Sequence, residues 1–254
     1  MKSEKCFVGC CGWGYFSPKK YFSNDWKKRF VSRLQCYASL FNFIEVNSTF
    51  YNFPNEKTTS RWLEEAHAVN KRFVFALKVN KVVSHIDMFK TRDSEQSFLK
   101  SLDIARTLNS KILLIQTPSS FKPTKNNVNN LRKFLKKASE ELDDERIVFE
   151  FRGDFLDHEE IIRKICEENN IEHCVDVFRN NPLFCRQFLY FRLHGFGKKI
   201  MYNYNFDYKE LKLLKKRIFE LKKKFKPKQI FILFNNYSMY ENALEFERLL
   251  NKNH

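Results

Sequence analysis

Glycine is scarce in this 254-residue chain, and the motifs of the commonest nucleotide-binding and hydrolase sites are absent. There are six glycines and no Walker loop, GxGxxG fingerprint or GxSxG elbow, which argues against P-loop, dinucleotide-binding and nucleophile-elbow chemistry. No apolar run approaches the roughly 18 residues that a membrane helix requires, and residues 1–15 lack an apolar signal-peptide core. We therefore expect a cytoplasmic protein with no membrane partner.

Cysteine and histidine are not arranged as in the common metal clusters. The seven cysteines are odd in number and lack zinc-ligand spacing, as expected in a reducing compartment. Cys10 and Cys11 are adjacent, where the sequence allows either a redox or soft-metal role or simple apolar filling. With six histidines in the chain, a multinuclear zinc cluster is not expected.

Acidic residues are outnumbered by basic ones: the chain has 30 acidic residues and 46 lysines and arginines, which gives a formal charge of +16. Such an excess favours nucleic acid or an anionic surface as a partner. In residues 208–225, however, apolar side chains recur every three or four positions, so the lysines between them form a solvated helix face. The sequence leaves open whether the charge is functional or compositional.

Eight apolar runs, rich in β-branched and aromatic residues, recur along the chain, and most end in polar residues. They are CFVGC, FIEVNS, FVFALK, KILLIQ, RIVFEFR, IEHCVDV, FLYFRLHG and QIFILFNN. Helical patterns lie between them, over residues 25–41, 57–70, 94–109, 126–142, 157–169, 208–225 and 239–251. After the sixth run, residues 178–187 leave room only for a turn or 3₁₀ segment. This alternation predicts an α/β protein, a single (β/α)8 TIM barrel over residues 1–254 with a short or degenerate sixth helix.

Polar residues at the ends of these strands form a candidate site. Residues two apart in a strand share a face, and three polar pairs do so: Glu45 and Asn47, Glu150 and Arg152, and Arg192 and His194. Their chain neighbours are apolar and suit packing against helices, so the polar side chains face the barrel axis. Single polar groups end four of the other strands: Lys78, Gln116, Asp176, and Asn235 or Asn236. TIM barrels carry their active sites at these carboxyl ends.

Three functions are consistent with such a site. In the first, it binds a phosphate-bearing or other anionic small molecule and acts as a hydrolase, although whether the protein is an enzyme stays open. In that hypothesis the anion is held by Arg152, Arg192 and Lys78, the general base or metal ligand is Glu45 or Glu150, and the acid is His194. In the second, the protein binds nucleic acid without catalysis. In the third, the site is a structural ion-pair network, for example Glu45 with Arg192 and Glu150 with Lys78.

The sequence leaves two roles open for the Lys78 side chain. It would act as a cation that pairs carboxylates or binds an anion, or as a desolvated amine that serves as base or Schiff-base former. His85, in the loop after the third strand, would cover the mouth of the barrel. Aromatic residues in the loops, including Trp13, Tyr15 and Tyr51, would either stack on a ligand or roof the barrel.

A divalent metal is one cofactor that the sequence permits. Oxygen and nitrogen ligands for Mg²⁺, Mn²⁺ or Zn²⁺ are available at the strand ends, namely Glu45, Glu150, Asp176 and His194. The sequence does not decide whether a metal is bound.

Seven ordered motifs resemble those of the YecE-like family, a widespread domain of unknown function. They are GCCGWGY, EVNSTFY with Pro54, FALK followed by Ser84-His85, QTPSSF, EFR, YFRLHG, and FNN with Asn242-Ala243. The resemblance covers nearly the whole chain. It implies a (β/α)8 barrel whose motif residues line a common pocket, and it implies no particular reaction. The chain departs from the family at Cys10-Cys11, where a hydroxyl residue is usual, and after EFR, where Gly153-Asp154-Phe155 replaces a polar continuation.

Overall fold

Eight parallel strands form a closed barrel in a computed structural model that describes residues 6–196 and 202–252. The strands are β1 (Cys6–Cys10), β2 (Phe43–Val46), β3 (Val74–Lys78), β4 (Ile112–Gln116), β5 (Arg146–Glu150), β6 (Glu172–Val175), β7 (Phe188–Leu193) and β8 (Gln229–Phe234). Each strand pairs with the next along the chain, and β8 closes the barrel by pairing in parallel with β1. The predicted (β/α)8 TIM barrel is confirmed.

Helices surround the barrel. They are α1 (Pro18–Tyr21), α2 (Arg33–Leu40), α3 (Glu56–Val69), α4 (Arg92–Thr107), α5 (Lys125–Glu140), α6 (Glu159–Asn169), α7 (Tyr208–Phe225) and α8 (Met239–Asn251). Between β6 and β7, where every residue is described, the chain forms a turn and no helix, as expected for the sixth unit. Across residues 6–196 and 202–252, none of the helices combines the length and apolarity needed to span a bilayer.

One predicted helix is wrong. The periodicity predicts a continuous helix over residues 25–41, but the structure has a 3₁₀ turn over Asn24–Lys28 and a separate α2. Ser32 begins α2, and its side chain accepts a hydrogen bond from the backbone N–H of Gln35. The Gln35 side chain in turn accepts from the N–H of Val31 at 2.8 Å. These local bonds satisfy amides at a helix start, so the chain breaks there despite its apolar periodicity.

Strand parity divides the core into two layers. Inward-facing residues such as Phe43, Val148 and Tyr190 form one buried cluster that fills the barrel. The intervening strand residues, such as Ile44 and Phe149, belong to a second cluster with the helices. Glu45, Glu150 and Arg192 follow the inward-facing residues by two positions, so they lie on the same face at the carboxyl end.

Two glycines shape the loops at this end. Gly153 has a positive φ of 65°, and a Cβ there would lie 2.5 Å from the carbonyl oxygen of Ser119. Gly195 has φ of 113°, and its Cβ would clash with the ring of Tyr204. Both positions therefore require glycine. Gly197 lies outside the described residues.

Candidate ligand-binding site

Arg192 is the centre of a buried ion-pair network at the mouth of the barrel. Its Nη2 donates to Glu45 Oε1 at 2.9 Å, and its Nη1 donates to Glu150 Oε2 at 2.5 Å. Gln116 Oε1 lies 3.4 Å from Nη1, and the hydroxyl of Tyr190 donates to Glu45 Oε2 at 2.9 Å. Arg192 is only 1% exposed. The predicted pair of Glu45 with Arg192 is therefore present in the structure.

Arg152 extends this network toward solvent. Its Nε and Nη2 donate to Glu150 Oε1 at 2.8 and 2.7 Å, and its backbone N–H donates to Thr117 Oγ1. Burial opposes ionisation of Glu150, but the positive charges of Arg192 and Arg152 hold its pKa well below its usual range. The suggested pair of Glu150 with Lys78 is wrong, because both carboxylate oxygens of Glu150 are taken by arginines.

Lys78, at the end of β3, is a half-buried amine without a salt bridge to any carboxylate of the described residues. Its Nζ lies 4.3 Å from the centre of the Phe50 ring, in a cation–π arrangement. Burial, and after it the positive charge of Arg192, lowers the pKa of Lys78 to about 8 even though Glu45 and Glu150 act in the opposite direction. The interpretation of Lys78 as a partner for the carboxylates is therefore not supported.

His85 lies beside Lys78 in a π-helical turn over Val82–Ile86. Its ring meets the Phe50 ring edge-on at 4.9 Å, and its Nδ1 is 2.9 Å from Ser84 Oγ. Burial, with the positive charges of Lys78 and Arg152, lowers the pKa of His85 to about 4. The imidazole is therefore neutral at pH 7. We call Lys78, Phe50 and His85 the amine cluster.

A second polar cluster joins the ends of β6, β7 and β8. Asp176 Oδ2 accepts from the backbone N–H of His194 at 2.9 Å and lies 3.3 Å from His194 Nδ1. Asn235 Nδ2 donates to His194 Nε2 at 3.1 Å, so the ring proton is on Nδ1 and faces Asp176. Arg179 also pairs with Asp176, at 3.6 Å, and donates to the carbonyl of Gly195.

A cavity of about 380 Å³ connects the two networks. Its polar lining includes Glu150, Arg152, Asp176, Arg179, Asn180 and His194. Gly153 and Ser119 also line it, so the close backbone approach that requires glycine forms part of its wall. The cavity is thus bordered by charged groups from β5, β6 and β7 and the segments that follow them.

Several predicted ligand-binding residues lie apart from this cavity. Trp13 packs edge-on against Trp62 of α3, and Tyr15 is 91% exposed beside a separate cleft. Asn236 is buried, and its Nδ2 donates to the backbone carbonyl of Tyr204 and to Asn242. This role is structural.

Two other predicted residues lie in the loop after β2. Tyr51 is 63% exposed and contacts the Phe50 ring edge-on. Asn47 begins a 3₁₀ turn over Ser48–Phe50 and makes no side-chain cap there. Neither residue lines the 380 Å³ cavity.

Several participating residues were not predicted from the sequence. Tyr190 shares a strand face with Arg192, so parity contained the signal for its contact with Glu45. Arg179 follows Asp176 by three residues in the unit without a helix, where no periodic pattern indicates direction. Ser84 was recognised only as part of a motif, and its bond to His85 depends on the π-helical turn.

The four candidate metal ligands do not form one group. Within the described parts of the chain, no three His, Cys, Asp or Glu side chains are grouped in a way that suits a metal ion. Glu45 and Glu150 bind arginines, whereas Asp176 and His194 belong to the second cluster. The arrangement therefore gives the divalent-metal hypothesis no support.

Cys10 and Cys11 are both buried, and the Cys10 thiol donates to the carbonyl of Met239 at 3.4 Å. Burial raises the pKa of both thiols above their usual range. The thiolate that redox or metal chemistry needs is thus disfavoured at both positions.

Fold and site define a TIM-barrel protein with a charged pocket at its mouth. Residues 7–254 match the model of DUF72, described as a protein of unknown function, and the chain belongs to this family. The YecE-like label denotes the same family, although the matches carry the names DUF72 and UPF0759.

Individual relatives agree with this assignment. The UPF0759 protein YunF of Bacillus subtilis (strain 168) is 25% identical over 273 residues, which cover 91% of this chain and 89% of YunF. A crystal structure of a DUF72 family protein from Enterococcus faecalis V583 has a TM-score of 0.74 and 20% identity over 98% of each chain. A D-psicose 3-epimerase crystallised in the presence of D-fructose has a TM-score of 0.57 and 11% identity, over 96% of this chain and 97% of its own. Both structural likenesses concern the fold alone.

Proposed function

We propose that this protein binds a small phosphate-bearing anion at the mouth of the barrel, between Arg152 and Lys78. The observation that carries the proposal is the charge balance of the site. Each of the three carboxylates is paired with an arginine: Glu45 with Arg192, Glu150 with Arg192 and Arg152, and Asp176 with Arg179. Among the described residues of the mouth, Lys78 is the cation that forms no salt bridge with a carboxylate.

An unpaired, partly buried cation is costly, since removing a charge from water costs several kcal/mol unless a partner compensates. A phosphate group beside Lys78 would supply that partner. Burial is the largest cause of the lowered pKa of His85, and the positive charges of Lys78 and Arg152 lower it further. The site is therefore electropositive where no protein carboxylate balances it.

The geometry favours Arg152 over Arg192 as the group that contacts the anion. Both terminal nitrogens of Arg192 are engaged by carboxylates, whereas Nη1 of Arg152 has no hydrogen-bond partner among the described residues. Arg152 also lines the cavity, whose volume of about 380 Å³ is in the range of small-molecule sites. Lys78 lies outside the lining of this cavity, so the anion would extend from the Arg152 side of the cavity toward Lys78. Arg192 would then hold the Glu45 and Glu150 carboxylates in position through its two ion pairs.

A hydrolytic role for Glu45 or Glu150 has less support. Each oxygen of both carboxylates already accepts a hydrogen bond or ion pair. The depressed pKa of Glu150 also makes it a weak general base, because efficient bases have a pKa near the working pH. The proposed function is therefore binding, and chemistry would have to use other groups.

The test is phosphate binding at pH 7, measured by isothermal titration calorimetry and by the rise in melting temperature. We expect saturable binding by the wild type, and its loss in the double variant Lys78→Gln/Arg152→Gln. A matched control is Lys216→Gln, which removes an exposed lysine of α7 and should leave the affinity unchanged. At a phosphate concentration of 100 times Kd, the stabilisation should be about 2.7 kcal/mol.

Two outcomes would overturn the proposal. One is absence of saturable phosphate binding by the wild type, which would favour the purely structural network. The other is equal loss of binding in Lys216→Gln and in the double variant, because diffuse surface charge would then be responsible.

A further inference from the structure

We infer that Lys78 is a nucleophile that forms an imine with a carbonyl group of the bound anion, so that the ligands of this site are phosphate-bearing aldehydes or ketones. The inference rests on the proposed function and adds the substrate class and a covalent step. It is carried by the position of the amine, its surroundings and its distance from Arg152.

A nucleophilic lysine needs a free electron pair, and its surroundings favour one at Lys78. Protein lysines become reactive when they are desolvated or lie near another cation. The charged or titratable groups that act on Lys78 are Arg192, Arg152, Glu45 and Glu150, together with His85 on the neighbouring turn. The two carboxylates are engaged by arginines and tyrosine, so neither forms a salt bridge that would hold the amine protonated. The pKa of about 8 agrees with this geometry.

The amine is also held in place. Lys78 ends β3, so its backbone belongs to the barrel wall, and its carbonyl accepts a hydrogen bond from Thr49 Oγ1 at 2.7 Å. The Phe50 ring lies against Nζ on one side. A fixed amine loses little conformational entropy on reaction, which favours attack on a bound carbonyl.

The spacing between amine and anion site defines the ligand. β3 and β5 are separated only by β4, and the register pairs Lys78 with Leu114 and Leu114 with Val148, four residues before Arg152. With strands about 4.8 Å apart and about 3.3 Å per residue along a strand, the backbones of Lys78 and Arg152 are roughly 16 Å apart. Side chains that converge from this distance would bracket a molecule with a phosphate a few bonds from its carbonyl carbon. Arg152 would hold the phosphate, whose negative charge would still face Lys78, while the Lys78 amine reaches the carbonyl carbon.

The proposed step is balanced without an oxidant or reductant. The Nζ electron pair attacks the carbonyl carbon to form a C–N bond, while the C=O π pair moves to oxygen, which takes up a proton. The nitrogen of this carbinolamine loses a proton to water. The C–O bond then breaks, the hydroxyl leaves as water with one further proton, and a protonated imine remains. Its positive charge replaces that of the lysine and keeps the ligand phosphate balanced.

The test uses pyridoxal 5′-phosphate, an aldehyde that carries phosphate, with sodium borohydride to reduce any imine to a stable secondary amine. Labelled peptides are identified by mass spectrometry at substoichiometric reagent and pH 7.5. We expect Lys78 to be labelled faster than Lys81 by on the order of tenfold. Inorganic phosphate should slow labelling of Lys78. Lys78→Gln should remove the adduct, whereas the matched variant Lys81→Gln should leave it.

Pyridoxal without phosphate separates this inference from the proposed function. In Arg152→Gln, labelling of Lys78 by pyridoxal should persist while protection by phosphate is lost. If calorimetry shows phosphate binding but Lys78 reacts no faster than Lys81, the imine is excluded and the binding function stands. If phosphate neither binds nor protects, both are overturned, even if the amine is reactive.

Discussion

Glu150 and Glu172 are two buried carboxylates, one at the carboxyl end of β5 and the other at the amino end of β6. Glu150 is surrounded by side chains, since two arginines occupy both of its oxygens. Glu172 instead accepts three backbone N–H groups, from Arg186, Gln187 and Phe188 at the start of β7. The pKa of Glu150 is lowered by its arginines, whereas burial raises that of Glu172.

This difference distinguishes the two ends of the barrel. Glu172 fixes the end of the segment that lacks a helix between β6 and β7, because it accepts hydrogen bonds from backbone N–H groups 14 to 16 residues away. Glu150 is held by an arginine 42 residues away, in a network that also borders the cavity. The amino end of a TIM barrel generally serves stability and the carboxyl end serves function.

The largest effect is expected from Arg192→Met. The substitution leaves Glu45 without its cation in a site that excludes water, and it removes one of the two arginines from Glu150. Loss of one partner of a buried ion pair typically costs about 3–5 kcal/mol. Urea denaturation should show this decrease in the free energy of unfolding. The triple variant Glu45→Gln/Glu150→Gln/Arg192→Met should recover part of it, and a loss below about 1 kcal/mol in Arg192→Met would contradict the network.

Glu172→Gln should have a smaller effect, about 1–3 kcal/mol, because the amide keeps one acceptor oxygen but turns donors toward backbone N–H groups. The same denaturation experiment measures it. Phosphate affinity should not change, since Glu172 lies at the opposite end of the barrel from the cavity. A weakened phosphate affinity in Glu172→Gln would remove the proposed division between the two ends.

The pH dependence of stability should have opposite signs for the two carboxylates. Glu150 has a lowered pKa, so its contribution is present above the ordinary value of 4.5 and is lost as pH falls below it. Glu172 has a raised pKa, so its contribution is present below 4.5 and is lost as pH rises through the folded value. The stability difference between wild type and Glu150→Gln should therefore shrink on acidification, while that between wild type and Glu172→Gln grows. Urea denaturation at several pH values between about 3 and 6 would measure both differences in the free energy of unfolding. If the two differences changed with pH in the same direction, the comparison would be wrong.

The smallest effect is expected on the exterior, from Lys216→Gln/Lys223→Gln. Both lysines are exposed on α7, whose buried face is formed by Leu211, Leu214, Ile218 and Leu221. Stability should change by less than about 0.5 kcal/mol. If the chain binds nucleic acid through this face, the slope of log affinity against log salt should fall by about 1 to 2 in the variant. An unchanged slope would exclude α7 from such binding.

Much of the site was predictable because it depends on strand parity. The period of two in Glu45, Glu150 and Arg192 correctly indicated that their side chains face the barrel axis, and their apolar neighbours indicated the opposite face. Parity does not give distances across the barrel, however. It therefore could not tell that Glu150 pairs with Arg152 and Arg192 rather than with Lys78.

Other details depended on local hydrogen bonds that periodicity does not report. The break before α2 arises from Ser32 and Gln35, although the apolar pattern runs through it. Asn235 and Asn236 are adjacent and chemically identical, yet the first contacts His194 and the second anchors the backbone of Tyr204. Their directions were fixed by the loop after β8.

The eight strands, the barrel and the end at which polar groups gather can be read from the amino-acid sequence, because they follow from the alternation of apolar and polar residues along the chain. Which charges neutralise one another depends instead on the folded chain, since it is set by distances between residues far apart in sequence. The result is that three carboxylates are paired with arginines and Lys78 is left beside Phe50 without such a partner among the described residues.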